Sequence, residues 1–183
     1  MGAGDATGGA VARLFARESF TACVSRRNPE KLEPLVECIR AEGGEARAFG
    51  TDARKEEQVQ EMFRVVEKEV GQIEVCVFNI GGNVRFPISE TTSRVYYKVW
   101  EMGCFAGFLT GREAANYMKP RGRGTILFTG ASAGVKGFAN SSVFAMGKFA
   151  QRGLAQSLSR ELHPQGIHVA WVNIDGAIRN PGR

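Results

Sequence analysis

The sequence predicts an α/β protein built on a doubly wound parallel sheet with helices on both faces. Three observations predict it. Helix and strand periodicities alternate nearly the whole way along the chain. The strands are apolar runs rather than polar–apolar alternations, as burial on both faces requires. A glycine-rich stretch leads straight into the first helix, where such folds turn tightly. Strand–helix–strand succession requires right-handed crossovers and hence parallel pairing in three layers, α/β/α.

Residues 8–18 carry helical spacing, with Val11, Leu14 and Phe15 inward. Residues 20–25 form a short apolar strand. Residues 29–42 return to helix, with Leu32, Leu35, Val36 and Ile39 on one stripe, and Gly43-Gly44 stops it. Residues 45–50 are a weaker strand. Residues 54–70 form an amphipathic helix through Val59, Met62, Phe63, Val66 and Val70, capped by Gly71. Residues 73–79 are a nearly continuous apolar strand ending in Gly81-Gly82. Residues 92–118 predict one long helix, stopped by Pro120. Residues 124–129 are apolar strand, 130–142 a Gly/Ser-rich turn, 143–162 a helix with Leu154, Leu158 and Leu162 a turn apart, and 167–174 the last strand. The tail from Asp175 to Arg183 has no pattern. No repeat, linker or low-complexity segment divides the chain, so residues 1–183 read as a single domain.

Of 183 residues, 43% are hydrophobic and 23% charged, enough for one substantial core. No apolar run approaches the roughly 20 residues that span a membrane, and no secretory signal is visible. Cys23, Cys38, Cys76 and Cys104 form no CxxC pair, and only His163 and His168 could assist them, so no metal site is expected. Reduced, buried thiols in a cytoplasmic protein fit better. The net charge of +5 is dispersed and interleaved with acids, as in Arg54-Lys55-Glu56-Glu57, which argues for a solvated surface and against nucleic acid.

The stretch Gly2-Ala3-Gly4-Asp5-Ala6-Thr7-Gly8-Gly9-Ala10 opens a helix. Glycines let the backbone approach a pyrophosphate, which sits on the positive end of the helix dipole. Ser25-Arg26-Arg27 follows the first apolar strand, where an acid would bind ribose hydroxyls and an arginine accommodates a 2′-phosphate. Two arginines without an acid favour NADP(H) over NAD(H). A surface arginine pair opening the next helix is the alternative.

These residues carry a family resemblance. The glycine stretch resembles the TGxxxGxG loop of short-chain dehydrogenases/reductases: Gly2 and Gly8 match the outer glycines, and Ala6 stands at the middle one. Val75-Cys76-Val77-Phe78-Asn79-Ile80-Gly81 is similar to the family's NNAG strand end, with Phe78 for the first Asn. Thr51-Asp52-Ala53 resembles the Asp-x turn beside the adenine. Residues 167–176 resemble the strand ending in Pro-Gly, with Asp175 for Pro. The resemblance implies a Rossmann-like fold and a cofactor site at Gly2, Gly4, Asp5, Ala6, Gly8, Arg26, Arg27, Asp52, Ala53, Asn79, Ile80, Gly81, Lys148, Gly176 and Ile178. It also implies a homodimer or homotetramer paired through the helices at 92–118 and 143–162; Phe105, Phe108, Ala155 and Ser159 suit either that or core packing.

The family's chemistry uses a Tyr and a Lys four residues apart on one helix, a Ser near the preceding strand end, and often an Asn in the long helix before. Here the YxxxK position reads Phe144-Ala145-Met146-Gly147-Lys148, the Ser position Ala131 with Ser132 next door, and the Asn position Cys104. Phe144 can neither give nor take a proton. Lys148 remains to hold the nicotinamide ribose, and water held by Lys148 is one substitute proton donor. Two functions follow: an NADP(H)-dependent oxidoreductase on a carbonyl or alcohol substrate with an altered proton donor, or an NADP(H)-binding pseudoenzyme acting as sensor, scaffold or partner subunit.

In the family's strand order, 3-2-1-4-5-6-7, the first strand lies mid-sheet just before the glycine loop. The chain is expected to lack that strand and the last one, as a truncated form would. The flanking strands would then stand about 5 Å too far apart to pair.

Overall fold

The computed structural model describes residues 1–4, 6–176 and 178. The elements run α1 (Thr7–Arg17), β1 (Thr21–Arg26), α2 (Glu33–Ala41), β2 (Glu45–Gly50), α3 (Glu56–Glu69), β3 (Val75–Phe78), α4 (Ser93–Trp100), α5 (Ala106–Met118), β4 (Gly124–Thr129), α6 (Ser142–Leu162) and β5 (Ile167–Val172). Strand and helix alternate and every strand pair is parallel, so the fold is the predicted Rossmann-like α/β arrangement. The strands hydrogen-bond into two sheets, β1-β2 and β3-β4-β5. They belong to two compact units: Met1–Gln72, together with Ile178 among the described residues of the tail, and Ile73–Gly176.

In the first unit β1 and β2 pair from Thr21↔Glu45 to Arg26↔Gly50. Ala12, Ala16, Ala22, Val24, Leu32, Val36, Ile39 and Ala46 form its core cluster. Small residues decide how α1 packs: Gly9, Ala12 and Ala16 are its buried positions. Leu14, expected inward, is instead 57% exposed. A helix that closes on its neighbours through Gly and Ala leaves its larger apolar side chains on the flank. Among the described residues no strand precedes α1. Met1–Ala3 lie beside β1, where the Gly2 and Ala3 N–H groups both donate to the Ser25 carbonyl at 3.0 Å.

In the second unit β4 is central, paired with β3 from Val75↔Thr125 and with β5 from Gly124↔Ile167. Ile126 and Phe128 on β4 and Phe78 on β3 have no exposed surface. The Phe78 and Phe128 rings meet at 6.1 Å. Phe78 also packs on Gly107, where an added Cβ would lie 3.4 Å from the ring. The departure at Phe78 from the family's Asn is therefore a core residue. The predicted long helix is interrupted: Glu101–Phe105 is a π turn between α4 and α5. The change lies in the backbone hydrogen bonding, which side-chain hydropathy does not record.

Candidate functional site

The sequence-predicted catalytic positions Phe144, Lys148, Ala131, Ser132 and Cys104 all lie in the second unit. Lys148 sits on α6, one turn after Phe144, so both occupy one helix face. The amine of Lys148 reaches the end of β4 and donates to the Thr129 carbonyl at 2.6 Å and to Gln151 Oε1 at 3.3 Å. Only 5% of Lys148 is exposed. Burial lowers its pKa to about 8. Two residues beyond Thr129 comes Ala131, and Ser132–Gly134 make a single 3-10 turn. Ser132 donates its N–H to the Ile174 carbonyl at 3.1 Å, and its own carbonyl accepts from Val135 and Lys136. Both Ala131 and Ser132 are half-buried, as is Phe144. Cys104 lies in the π turn; burial pushes its thiol pKa up and keeps it protonated.

Gln151 escaped the sequence reading. It is wholly buried, and its Nε2 donates to the Gly103 carbonyl in the π turn at 3.2 Å. Its Oε1 also accepts from Trp171 Nε1 on β5 at 3.1 Å. The available signal was a polar residue inside a helix stripe one turn after Lys148. Nothing in the sequence shows that the π turn places a carbonyl opposite it.

The positions expected to meet cofactor phosphates and adenosine lie in the first unit. Among the described residues no side chain caps α1 and its first turn carries no acid; the positive end of a helix suits an anion. A Cβ on Gly4 would meet nothing within 4 Å, whereas one on Gly9 would stand 2.9 Å from the Gly4 carbonyl. The loop thus needs glycine to close onto the helix and leaves open space beside Gly4. Gly2 has φ 80°, a left-handed conformation that favours glycine. Ala6 precedes α1, Gly8 lies in its first turn, and Asp5 lies outside the described residues. Arg26 ends β1 with one guanidinium N–H on the Lys31 carbonyl at 3.3 Å, and Arg27 is exposed. This donor set fits a nicotinamide dinucleotide.

Asp52 pairs with its own loop. Arg54 holds its carboxylate through Nε at 2.9 Å and a second guanidinium nitrogen at 2.6 Å. That bond, with Arg27 a weaker contributor, keeps the Asp52 pKa below the usual carboxylate range. Ala53 beside it is buried. In the second unit Asn79 and Ile80 follow β3, half-buried, and Gly81 is exposed with open space at its Cβ position. Gly176, at φ 142°, and Ile178 are exposed. Among the described residues no group of His, Cys, Asp or Glu could hold a metal ion, and no helix is long and apolar enough to cross a membrane.

The sequence profile of the short chain dehydrogenase family matches residues 1–178. The chain belongs to the short-chain dehydrogenase family. A short-chain dehydrogenase from Rhodopseudomonas palustris is 49% identical and superposes with a TM-score of 0.93, over 96% of this chain and 82% of that one. A metagenomic short-chain oxidoreductase in complex with NADP is 25% identical, with a TM-score of 0.89, over 94% and 78% of the two chains. An uncharacterized oxidoreductase of Bacillus subtilis (strain 168) is 30% identical over 92% of this chain and 65% of its own length. The chain thus spans about two thirds of the length of the curated relatives it matches, 65% and 67% of the first two.

Proposed function

We propose that this short-chain dehydrogenase is an NADP(H)-dependent oxidoreductase that interconverts a small carbonyl compound and its alcohol. The observation that carries the reading is the buried Lys148 amine fixed at the end of β4, beside the turn that holds Ala131 and Ser132. When bound, the nicotinamide cofactor supplies or accepts the hydride. The start of α1 and the open space at Gly4 receive the pyrophosphate. Arg26 and Arg27 recognise the 2′-phosphate, a planar guanidinium matching phosphate oxygens. Lys148 holds the nicotinamide ribose. Phe144 offers no proton, so the carbonyl oxygen takes one from the Lys148 ammonium or from water that it holds. An amine with a pKa of about 8 is charged near neutral pH and releases its proton more readily than an ordinary lysine.

All four cysteines are free thiols, which supports a cytoplasmic location. Trp100, Phe108 and Phe149 are 37%, 41% and 45% exposed on α4, α5 and α6, which supports pairing with a second copy. Ala155 is 3% exposed and belongs to the core rather than to that face; Ser159 is half-buried.

The test is titration of the purified chain with NADPH and NADH, read by nicotinamide fluorescence and thermal melting. An assay for carbonyl-dependent NADPH oxidation follows. Tighter binding of NADPH, with a raised melting temperature and turnover of small ketones or aldehydes, is expected. Equal affinity for NADH removes the NADP preference. Binding without turnover, with turnover appearing only in the Phe144→Tyr, Ala131→Ser double variant, would make the native chain a binder.

A further inference from the structure

Gln151 bonds to three elements at once. Its amide group touches the Lys148 amine on its own helix, the Trp171 indole on β5 and the Gly103 carbonyl of the π turn. The orientation of the amide is fixed by its partners. Lys and Trp side chains only donate, so the oxygen must face them; a backbone carbonyl only accepts, so the nitrogen must face Gly103. Trp171 is held in turn by the turn after β4: a Cβ on Gly134 would lie 2.5 Å from the indole. Gln151 therefore cannot rotate without leaving a buried donor or acceptor unpaired, a cost of the same order as the bond itself.

This arrangement bears on Lys148. An ammonium has three N–H donors. The Thr129 carbonyl and Gln151 Oε1 take two, at 2.6 and 3.3 Å. Charged or titratable side chains close to the network in sequence include Glu101 and Cys104, in the π turn with Gly103, and Arg152, next to Gln151, whose guanidinium lies 5.8 Å from the centre of the Trp171 ring. The bonds of the amine go to Thr129 and Gln151. The acceptors that fix it are neutral, one of backbone and one of side chain.

We propose that Gln151 is the positioning residue of this site: it pins the Lys148 amine against the end of β4 and leaves one N–H for the ligand. This rests on the reading of Lys148 as the group that meets the nicotinamide ribose. Gln151 touches neither cofactor nor substrate and acts through Lys148. The same bonds couple the amine to the π turn and to β5, so a shift of either element moves Lys148.

The test is a double-mutant cycle with Gln151→Met and Lys148→Met in the full chain, read by NADPH affinity and by thermal unfolding. Loss of one hydrogen bond to a charged group corresponds to about tenfold in affinity. Gln151→Met is expected to weaken NADPH binding by about that factor in the native background and to have no effect on it in the Lys148→Met background. Its thermal destabilisation should persist in both. An equal loss of affinity in both backgrounds would reduce Gln151 to a structural residue and overturn the proposal. A second readout needs no cofactor: the titration of Lys148 followed by its 13Cε signal in lysine-labelled protein, assigned by its disappearance in Lys148→Met. Losing an acceptor disfavours the charged amine, so the midpoint falls in Gln151→Met; a carboxylate favours it, so the midpoint rises in Gln151→Glu. An unchanged midpoint in both variants would also overturn the proposal. If native protein fails to bind NADPH, the proposed function fails, and the lysine titration alone decides the role of Gln151.

Discussion

At the scale of single residues, the Lys148 amine is the most heavily perturbed group that bears on the proposed chemistry. Its ordinary pKa is 10.5 and burial brings it to about 8. Below about 8 the amine is charged in both folded and unfolded chains, and the cost of burying that charge is fully present. Between about 8 and 10.5 the unfolded chain keeps a proton that the folded chain has released, so stability rises with pH through this window. Above it the amine is neutral in both states and the cost is gone. The interval of about 2.5 units corresponds to roughly 3 kcal/mol. Lys148→Met has no such proton to lose. The unfolding free energy of the native chain relative to Lys148→Met should therefore climb by roughly 3 kcal/mol between about pH 7 and pH 11, measured by urea unfolding at several pH values. A difference that stays flat would mean that the ammonium is not penalised where it sits. Asp52 shows the opposite case. Arg54, two residues away, occupies both carboxylate oxygens, so the group placed beside the adenine by motif is already engaged by its own loop.

Among the elements, the turn after β4 depends on two glycines for a reason visible only in three dimensions. Side-chain atoms of Trp171 lie where a Cβ of Gly130 or Gly134 would stand. Gly134 also faces the Lys148 carbonyl, 3.1 Å from its would-be Cβ. Gly134→Ala should cost about 1–3 kcal/mol of unfolding free energy through overpacking. Trp171→Phe removes the ring atoms concerned, so Gly134→Ala should cost less than half as much in that background. Equal costs in both backgrounds, measured by chemical denaturation, would show that the indole is not what excludes the methyl group. The sequence marked this segment as a Gly/Ser-rich turn, and its limits are close to those observed. It could not say which glycines are steric necessities, because Trp171 is some forty residues downstream. The same holds for the other elements. The stripes of α2 and α3 were legible because large side chains at helical spacing became their buried faces, Val36 and Ile39, then Val59, Met62, Phe63 and Val66. Leu14 was misplaced because α1 packs through small residues, which carry little hydropathy signal. The π turn at Glu101–Phe105 and the bond from Gln151 to Gly103 were illegible because they depend on backbone carbonyls, which have no letter in the sequence, and the bond from Trp171 because it joins residues twenty positions apart.

For the molecule as a whole, the two compact units differ in how their sheets are supported. β4 is paired along both edges, and its Ile126 and Phe128 have no exposed surface. β1 and β2 form a sheet of two strands. Alanine makes up much of their core cluster, with Val24, Leu32, Val36 and Ile39 as its larger members. Fully burying a Leu, Ile or Phe is worth about 1.5–3 kcal/mol, and a two-stranded sheet is marginal without packing on other elements. Each amide exchanges at the cost of the smallest opening that exposes it. Hydrogen exchange should therefore be slowest in β4, tracking global unfolding, and faster in β1 and β2 through openings confined to their unit. On the proposed function, NADPH contacts the start of α1 and the end of β1. Saturating NADPH at about a hundred times its dissociation constant should slow exchange in peptides covering residues 1–26 by up to about a hundredfold. The bonds of the Gly2 and Ala3 N–H groups to the Ser25 carbonyl lie in that segment and would report the effect directly. Uniform exchange across β1, β2 and β4 would mean that the sheets open together as one cooperative structure. Unchanged exchange in residues 1–26 despite bound NADPH would mean that the glycine-rich start of α1 is not where the cofactor phosphates rest.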